Sequence, residues 1–263
     1  MLFSSPTVTV YLCFLTAVFG LAMGSFLNCM AVRIVHKEPL TGRSYCPDCR
    51  HPLAAVDLVP VFSWLFLKGK CRYCKKTVSA WYPASELLTA AVFLSALFKY
   101  DVSLKTLEML VLASILLCIS FADLEAYLIP DGLIIAGIAC RVLFILLSGD
   151  VWTNALTSLI GGISVSLPVL LIVLVMEKIL KKEAMGGGDI KLLFMIGIYF
   201  DWKLNLTALF FACFIGIALA LCLKKRAAQN GRQIPFGPAL AAGAWLSMLF
   251  AQPLISWYLG LFI

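Results

Sequence analysis

The sequence predicts an all-α polytopic membrane protein, with about eight transmembrane helices and a small cytoplasmic zinc-binding module between helices 1 and 2. Its 263 residues are 62% hydrophobic and only 13% charged, whereas soluble domains are about 45–50% apolar and 25% charged. The mean hydropathy of +0.98 supports the same class. Long apolar stretches and two closely spaced cysteine pairs provide the details of the prediction.

Segments that suit a bilayer recur along the whole chain, since a transmembrane helix needs about 20 mostly apolar residues. Four stretches have no charged side chain: 1–32, 151–176, 204–223 and 233–263. Four shorter segments become spans if a charge is tolerated at an end or inside: 84–99, 104–122, 131–148 and 188–201. The first stretch lacks a basic start and a small-x-small cleavage site, so we expect a mature helix and not a signal peptide.

The basic residues predict the orientation of these spans. Of the 21 Lys and Arg residues, 17 lie in the segments 33–83, 177–191 and 224–232. Basic loops tend to stay cytoplasmic, so both termini are expected outside. The formal charge of +7 then reflects membrane topology. We expect a lipid bilayer as partner and no nucleic acid, because the basic stripes of nucleic-acid binders are missing from the sequence.

Ten cysteines could suggest a disulfide framework, but six of them fall in apolar spans, where they are expected to be small buried side chains. The other four form two CxxC pairs, 21 residues apart, in segment 33–83: Cys46, Cys49, Cys71 and Cys74. Cytoplasmic thiols stay reduced, and four thiolates at this spacing fit tetrahedral Zn²⁺ with no position open for catalysis. We therefore predict a structural zinc site.

The rest of the cysteine loop carries three further expectations. His36 and His51 are expected to be solvated and not zinc ligands. The run Asp57–Leu65 is too apolar for a free linker, and it is expected to pack on the zinc module or on the membrane surface. No internal repeat is apparent in the sequence.

One predicted cytoplasmic turn breaks the charge pattern, because 123–131 contains Asp123, Glu125 and Asp131 but no base. A further acid, Asp189, follows the three glycines 186–188, which allow another backbone to approach closely. Asp123 ends the third predicted helix and Asp189 begins the sixth, so the two carboxylates are expected at one depth. If they meet, they share a proton as in aspartic proteases.

Two other interpretations stay open at this point. Each acid could simply interact with a helix end at the membrane interface. Alternatively, intramembrane acids could carry protons or cations in a polytopic transporter with a zinc module, although the related halves or paired broken helices of many transporters are not evident. Arg141, inside the fourth predicted helix, is expected to snorkel or to pair with an acid such as Asp150 or Glu108.

Taken together, the motifs resemble the type IV prepilin peptidases, a family of membrane aspartic proteases with a GxGD motif. The resemblance runs through most of the chain. Its residues are Gly24–Asn28, Arg33, both CxxC pairs, Asp57–Pro60, Ser63-Trp64, Tyr82-Pro83, Glu86, Asp123, Ile129–Asp131, Gly186–Lys191 and Pro235–Pro238.

The resemblance implies a bifunctional enzyme in the plasma (inner) membrane of a bacterium. It would cleave the basic leader from type IV prepilins or pseudopilins, including those of type II secretion, at the cytoplasmic face. It would then methylate the new N-terminus with S-adenosylmethionine. Asp123 and Asp189 become the catalytic pair by this resemblance, and Asp131 a residue that helps to hold the site or the leader.

The methyltransferase part is expected in the cysteine loop, because family members with both activities have it. The sequence has no Gly-rich nucleotide fingerprint, and Arg33, Glu38 and Glu86 are possible contributors without an assigned role. The expected division is 1–32 as first transmembrane helix, 33–83 as zinc-binding, methyltransferase-associated loop and 84–263 as transmembrane peptidase core. A peptidase of the same family without methylation remains an alternative.

Overall fold

Long apolar sequence segments become long helices in a computed structural model, which describes residues 5–181, 185–230 and 235–260, with the backbone alone at 222–230 and 258–259. The described parts contain one 3₁₀ turn (Ala55–Leu58) and no β-strand. Their helices are α1 (Pro6–Val35), α2 (Phe62–Phe66), α3 (Trp81–Tyr100), α4 (Leu104–Ala126), α5 (Asp131–Leu147), α6 (Val151–Leu180), α7 (Gly187–Tyr199), α8 (Trp202–Asn230) and α9 (Gly237–Gly260).

The predicted all-helical membrane fold is confirmed, since each of the eight predicted segments overlaps one of these helices, and the short helix α2 lies in the cysteine loop. Six of them are long and apolar enough to cross a membrane: α1, α3, α4, α6, α8 and α9. Helices α5 and α7 have only 17 and 13 residues. The basic segment 224–232 lies within α8 up to Asn230, and its last two residues are outside the described residues.

The chain divides into two compact units, Met1–Phe121 and Ala122–Ile263. In the first unit, α1 packs closely on α3 because glycines remove side chains from the contact. A Cβ at Gly20 would lie 2.6 Å from the Cα of Ala90, and one at Gly24 would lie 2.7 Å from the Cα of Glu86. Gly20 and Gly24 of α1 therefore serve helix packing, as small residues do in membranes generally.

The second unit contains Arg141, whose partners the sequence did not reveal. Its guanidinium donates to the Ser158 hydroxyl on α6, from Nη2 at 2.8 Å, and from Nε to the Ile198 carbonyl on α7 at 2.9 Å. It also lies 5.7 Å from the centroid of the Tyr199 ring. Arg141 thus joins α5, α6 and α7 through neutral oxygens and an aromatic face.

The glycine contact between α1 and α3 is testable. We expect Gly24→Ala to lower the free energy of unfolding by about 1–3 kcal/mol, because the added methyl group overpacks a backbone contact. Thermal unfolding in detergent measures this. Gly149→Ala is the matched control, because no atom lies within 4 Å of a Cβ at that position. An unchanged Gly24→Ala protein would contradict the tight packing.

Candidate active site and metal centre

Asp123 lies in the last turn of α4 and is 4% exposed. Its Oδ2 accepts a hydrogen bond from the backbone N–H of Gly237 at 2.8 Å. Gly237 is the first residue of α9, so this N–H is one of those that a helix leaves without an internal partner. A Cβ at Gly237 would lie 2.8 Å from the same carboxylate oxygen, which explains the glycine of Pro235–Pro238.

Asp189 lies in the first turn of α7, after the glycine run. The three glycines differ in their surroundings. A Cβ at Gly186 would lie 3.2 Å from Asp189 Oδ2, one at Gly188 would lie 3.1 Å from the Cβ of Ile129, and one at Gly187 would meet nothing within 4 Å. A side chain, that of Ile129, therefore makes the close approach at Gly188, where the glycine run predicted another backbone.

One open cavity of about 320 Å³ contains both aspartates, so that the structure brings these two sequence-predicted residues together. Three separate sequence motifs meet there, since the lining residues are Asp123, Tyr127, Leu128, Ile129, Asp131, Gly186, Gly188, Asp189, Lys191, Pro235 and Phe236.

Helix ends explain how two carboxylates are tolerated in this place. Asp123 faces the N-terminus of α9, and Asp189 lies at the N-terminus of α7. The N-terminal end of a helix attracts negative charge. The helix-end interpretation of each acid is thus physically relevant, but it does not explain why both carboxylates line one open cavity.

The turn 123–131 has no base in its own sequence, yet the structure brings one to it. Lys191 donates to Asp131 Oδ1 at 2.8 Å, and both side chains are more than half exposed. Glu125 is exposed and is not among the residues that line the cavity. The cavity mouth is therefore less acidic than the sequence alone suggests. The lysine was visible in the Gly-Asp-Ile-Lys sequence, but the sequence did not show that it lies next to Asp131.

The second candidate site is formed by the four cysteines predicted to bind zinc. Their Sγ atoms all lie within 4.8 Å of one another, and Cys46 Sγ is 3.9 Å from Cys74 Sγ. Tetrahedral zinc with Zn–S bonds of about 2.3 Å requires S···S distances of roughly 3.8 Å. The donor set and its size therefore fit Zn²⁺, whereas His36 and His51 are outside this cluster.

Two equivalent knuckles build the metal centre, a structural repeat that was not apparent in the sequence. In the first, Cys46 N–H donates to the His51 carbonyl and Leu53 N–H to the Ser44 carbonyl. The second knuckle has the same two hydrogen bonds at the same sequence spacing: the Cys71 N–H donates to the Lys76 carbonyl, and the Val78 N–H donates to the Gly69 carbonyl. The residues after the second cysteine of each pair, Arg50 and Lys75, both have a positive φ.

Contacts between the knuckles follow the same symmetry. Positions are counted here from the first cysteine of each knuckle. The residue at position +5 of one knuckle contacts the residue at position +2 of the other. His51 stacks on Tyr73 with 3.7 Å between ring centroids, and Lys76 donates to Asp48 at 2.7 Å. His51 thus serves knuckle packing. The sequence signal for the repeat was the pair of Cys-x-x-Cys-(Arg/Lys) motifs.

The two thiols of the second knuckle differ in pKa: a hydrogen bond from the Lys76 N–H favours the Cys74 thiolate, but burial and the neighbouring cysteines outweigh it and raise the pKa of Cys74 to about 11. The Cys74 backbone N–H lowers the pKa of the Cys71 thiol to about 7, although burial opposes this. Burial also opposes ionisation of Asp57, but hydrogen bonds from Arg72, from the Ala54 N–H and from Tyr73 outweigh it and lower the pKa of that carboxyl. Asp57 thereby links the segment between the knuckles to the second knuckle.

The three charged residues considered for a methyl-donor site all have structural partners. Arg33 is buried and donates to the carbonyls of Leu40, Gly42 and Arg43. Glu38 accepts a hydrogen bond from Tyr45, and Glu86 from the Val61 N–H. These contacts hold the loop, and they do not assign any of the three residues to S-adenosylmethionine.

A polytopic helical protein with two carboxylates in one open cavity has the arrangement expected of a membrane aspartic protease. Comparisons with known proteins agree with this class. The Bacterial Peptidase A24 N-terminal domain matches residues 18–100, and the Type IV leader peptidase family matches residues 110–221. The chain belongs to the type IV leader peptidase family. No solved structure matches it.

Individual relatives match over nearly their whole length. A protein of Bacillus subtilis (strain 168) named Prepilin leader peptidase/N-methyltransferase is 34% identical over 246 residues, which cover 92% of this chain and 96% of that one. The protein of the same name from Aeromonas hydrophila is 32% identical, over 95% and 94% of the two chains. The one from Neisseria gonorrhoeae is 30% identical, over 88% of each.

The metal centre yields a direct prediction. Protein purified under reducing conditions should contain about one zinc per chain, and Cys46→Ser should reduce this to near zero, because structural zinc requires its full ligand set. Metal analysis by mass spectrometry measures the ratio. Cys13→Ser, a cysteine in α1 outside the cluster, is the control and should retain the metal. Zinc-free wild-type protein would exclude the assignment.

Proposed function

We propose that this protein is a bifunctional prepilin leader peptidase and N-methyltransferase of a bacterial plasma membrane. The observation that carries the peptidase proposal is the cavity shared by Asp123 and Asp189, within the part of the chain that matches the leader peptidase family. The names of the relatives support both activities. Family membership also favours a peptidase over the transporter considered above.

The proposed cleavage uses the two aspartates as one unit. One carboxylate, ionised, takes a proton from water as the water oxygen attacks the scissile carbonyl carbon, and the other, protonated, donates to the carbonyl oxygen. Collapse of the tetrahedral intermediate breaks the C–N bond, and the new amine takes up a proton. Gly237 fixes one oxygen of Asp123, which leaves the other oxygen for this chemistry.

Leader binding is proposed at the mouth of the same cavity. Asp131 is paired there with Lys191, and both groups are exposed. Exposed ion pairs are worth only about 0–1 kcal/mol, so a basic residue of the leader can replace Lys191 at Asp131 at little cost. The role of Asp131 is then to hold the leader while the scissile peptide reaches the aspartates.

Methylation is assigned to the loop 33–83, which follows the first transmembrane helix 1–32 and precedes the peptidase core 84–263. S-adenosylmethionine is the methyl donor in this proposal. Cys46, Cys49, Cys71 and Cys74 hold a structural Zn²⁺ that joins the two knuckles and takes no part in methyl transfer. The alternative, a peptidase without methylation, differs from this proposal only in the second reaction.

Both reactions are proposed on the cytoplasmic side. The support is the distribution of charge, with nine basic residues in 33–83 and four in 177–191, because basic loops tend to remain cytoplasmic. Asp189, in the first turn of the short helix α7, lies within the second of these segments. The leader of a prepilin would therefore be removed before the pilin leaves the cytoplasmic face.

The catalytic pair is tested by removing one carboxylate at a time. We expect Asp123→Asn and Asp189→Asn each to reduce prepilin cleavage by about 10³-fold or more, because residues that act as a unit fail together. Cleavage is followed by the change in pilin size after co-expression. An undiminished cleavage rate in either variant would exclude the replaced aspartate from catalysis.

Methyl transfer to already cleaved pilin provides the control, measured with radiolabelled S-adenosylmethionine. Both aspartate variants should retain this transfer, which shows that they are folded. Absence of label transfer by the wild-type protein would leave the peptidase alone.

The hydrogen bond to Asp123 gives a second prediction. Gly237→Ala should slow leader cleavage by about 10²-fold, because displacing a reacting group by about 1 Å costs this much. Gly187→Ala is the matched control in the glycine run, since its Cβ has open space, and it should cleave at nearly the wild-type rate. Equal rates in the two variants would contradict the positioning role of Gly237.

A further inference from the structure

The segment between the two cysteine knuckles exposes a continuous set of apolar side chains. This segment, the apolar turn, comprises residues 55–66 and contains the 3₁₀ turn Ala55–Leu58 and helix α2. Its exposed side chains are Val56, Leu58, Val59, Phe62, Leu65 and Phe66, of which Phe66 is 83% exposed. The sequence predicted that this segment packs on the zinc module or on the membrane surface. Because these side chains are exposed, they are not buried on the zinc module.

A buried glutamate fixes the position of the apolar turn. The Val61 N–H donates to Glu86 Oε2 of α3 at 2.7 Å, and Val61 has φ 61° and ψ −51°, a conformation unusual for a β-branched residue. Glu86 also packs closely on α1 beside Ser25, since a Cβ at the preceding residue, Gly24, would lie 2.7 Å from the Cα of Glu86. The turn is therefore attached to α1 and α3 at one defined level.

Helix α1 gives the depth of this attachment. Ser25 is the twentieth residue of a helix that begins at Pro6, and 20 residues at 1.5 Å each span about 30 Å, the thickness of the hydrocarbon core. The first charged side chain of α1 is Arg33, eight residues beyond Ser25. Ser25 thus lies within the apolar part of the helix.

Helix α3 gives the same depth independently. It begins with Trp81 and Tyr82, which are 42% and 43% exposed, and such aromatic residues concentrate at the membrane–water interface. Glu86 follows five residues after Trp81, or about 7 Å further along the helix. The Val61 backbone is hydrogen-bonded to Glu86 and is consequently at the level of the membrane boundary.

We propose that the apolar turn inserts into the lipid bilayer at the boundary between headgroups and acyl chains. Its side chains are then continuous with the lipid-facing surfaces of α1 and α3. Exposed basic residues follow at once, at Lys68 and Lys70, where they meet anionic headgroups. The zinc module is thereby held against the membrane surface by lipid in addition to its covalent connections.

A photo-crosslinking residue at position 66 tests the proposal in the full-length protein, reconstituted in nanodiscs of phosphatidylethanolamine and phosphatidylglycerol. Benzoylphenylalanine replaces Phe66, the most exposed residue of the turn, so that folding is preserved. The same replacement of Phe14, an exposed residue of α1, is the positive control. Replacement of Asp48, an exposed residue of the first knuckle, is the comparison outside the membrane.

Intact-mass analysis after irradiation identifies the partner of each probe. We expect lipid adducts at position 66 comparable to those at position 14 and several-fold above those at position 48. Crosslinks from position 66 to another part of this chain, or to added prepilin, would show that protein covers the turn and would overturn the proposal. Lipid adducts at position 66 no more frequent than at position 48 would overturn it as well.

Discussion

The hydrogen bond from Gly237 to Asp123 is the contact on which the candidate active site depends. It joins residues that are 114 positions apart. Asp123 alone would present its carboxylate in the last turn of α4, where the helix dipole disfavours a negative charge. The free N–H at the start of α9 offsets this. The same contact requires a glycine at 237, because a Cβ would collide with the carboxylate.

Backbone hydrogen bonds also organise the zinc module. Each knuckle orders two cysteines by a repeated set of backbone hydrogen bonds, and the knuckles are joined by His51 with Tyr73 and Lys76 with Asp48. The four sulfur atoms, two from each knuckle, lie where these two halves meet. With the attachment of Val61 to Glu86, the module gains a fixed relation to α1 and α3.

Hydropathy and charge were sufficient to predict the helices, because the bilayer imposes a length and an apolar surface on each span. The short helices α5 and α7 do not follow this rule, because both are shorter than a transmembrane span. Cysteine spacing predicted the cluster of four sulfurs for a similar reason, since zinc fixes the distances between its sulfur ligands. These predictions depend on local sequence alone.

Tertiary contacts were not accessible in this way. Lys191 and Asp131 are 60 residues apart, so the base-free turn of the sequence gains its lysine only by folding. Arg141 is bound by neutral oxygens of two other helices, whereas charge pairing alone suggested an acid. The knuckle repeat was hidden because its equivalence lies mainly in backbone hydrogen bonds, and few side chains are shared.

The central claim is that Asp123 and Asp189 act as one acid–base unit on the scissile peptide. The pH dependence of single-turnover leader cleavage by the wild-type protein tests it most directly. The account predicts a bell-shaped profile, because one carboxylate must be ionised and the other protonated for the rate to be maximal. A rate that rises with pH in a single step and then stays constant would contradict it.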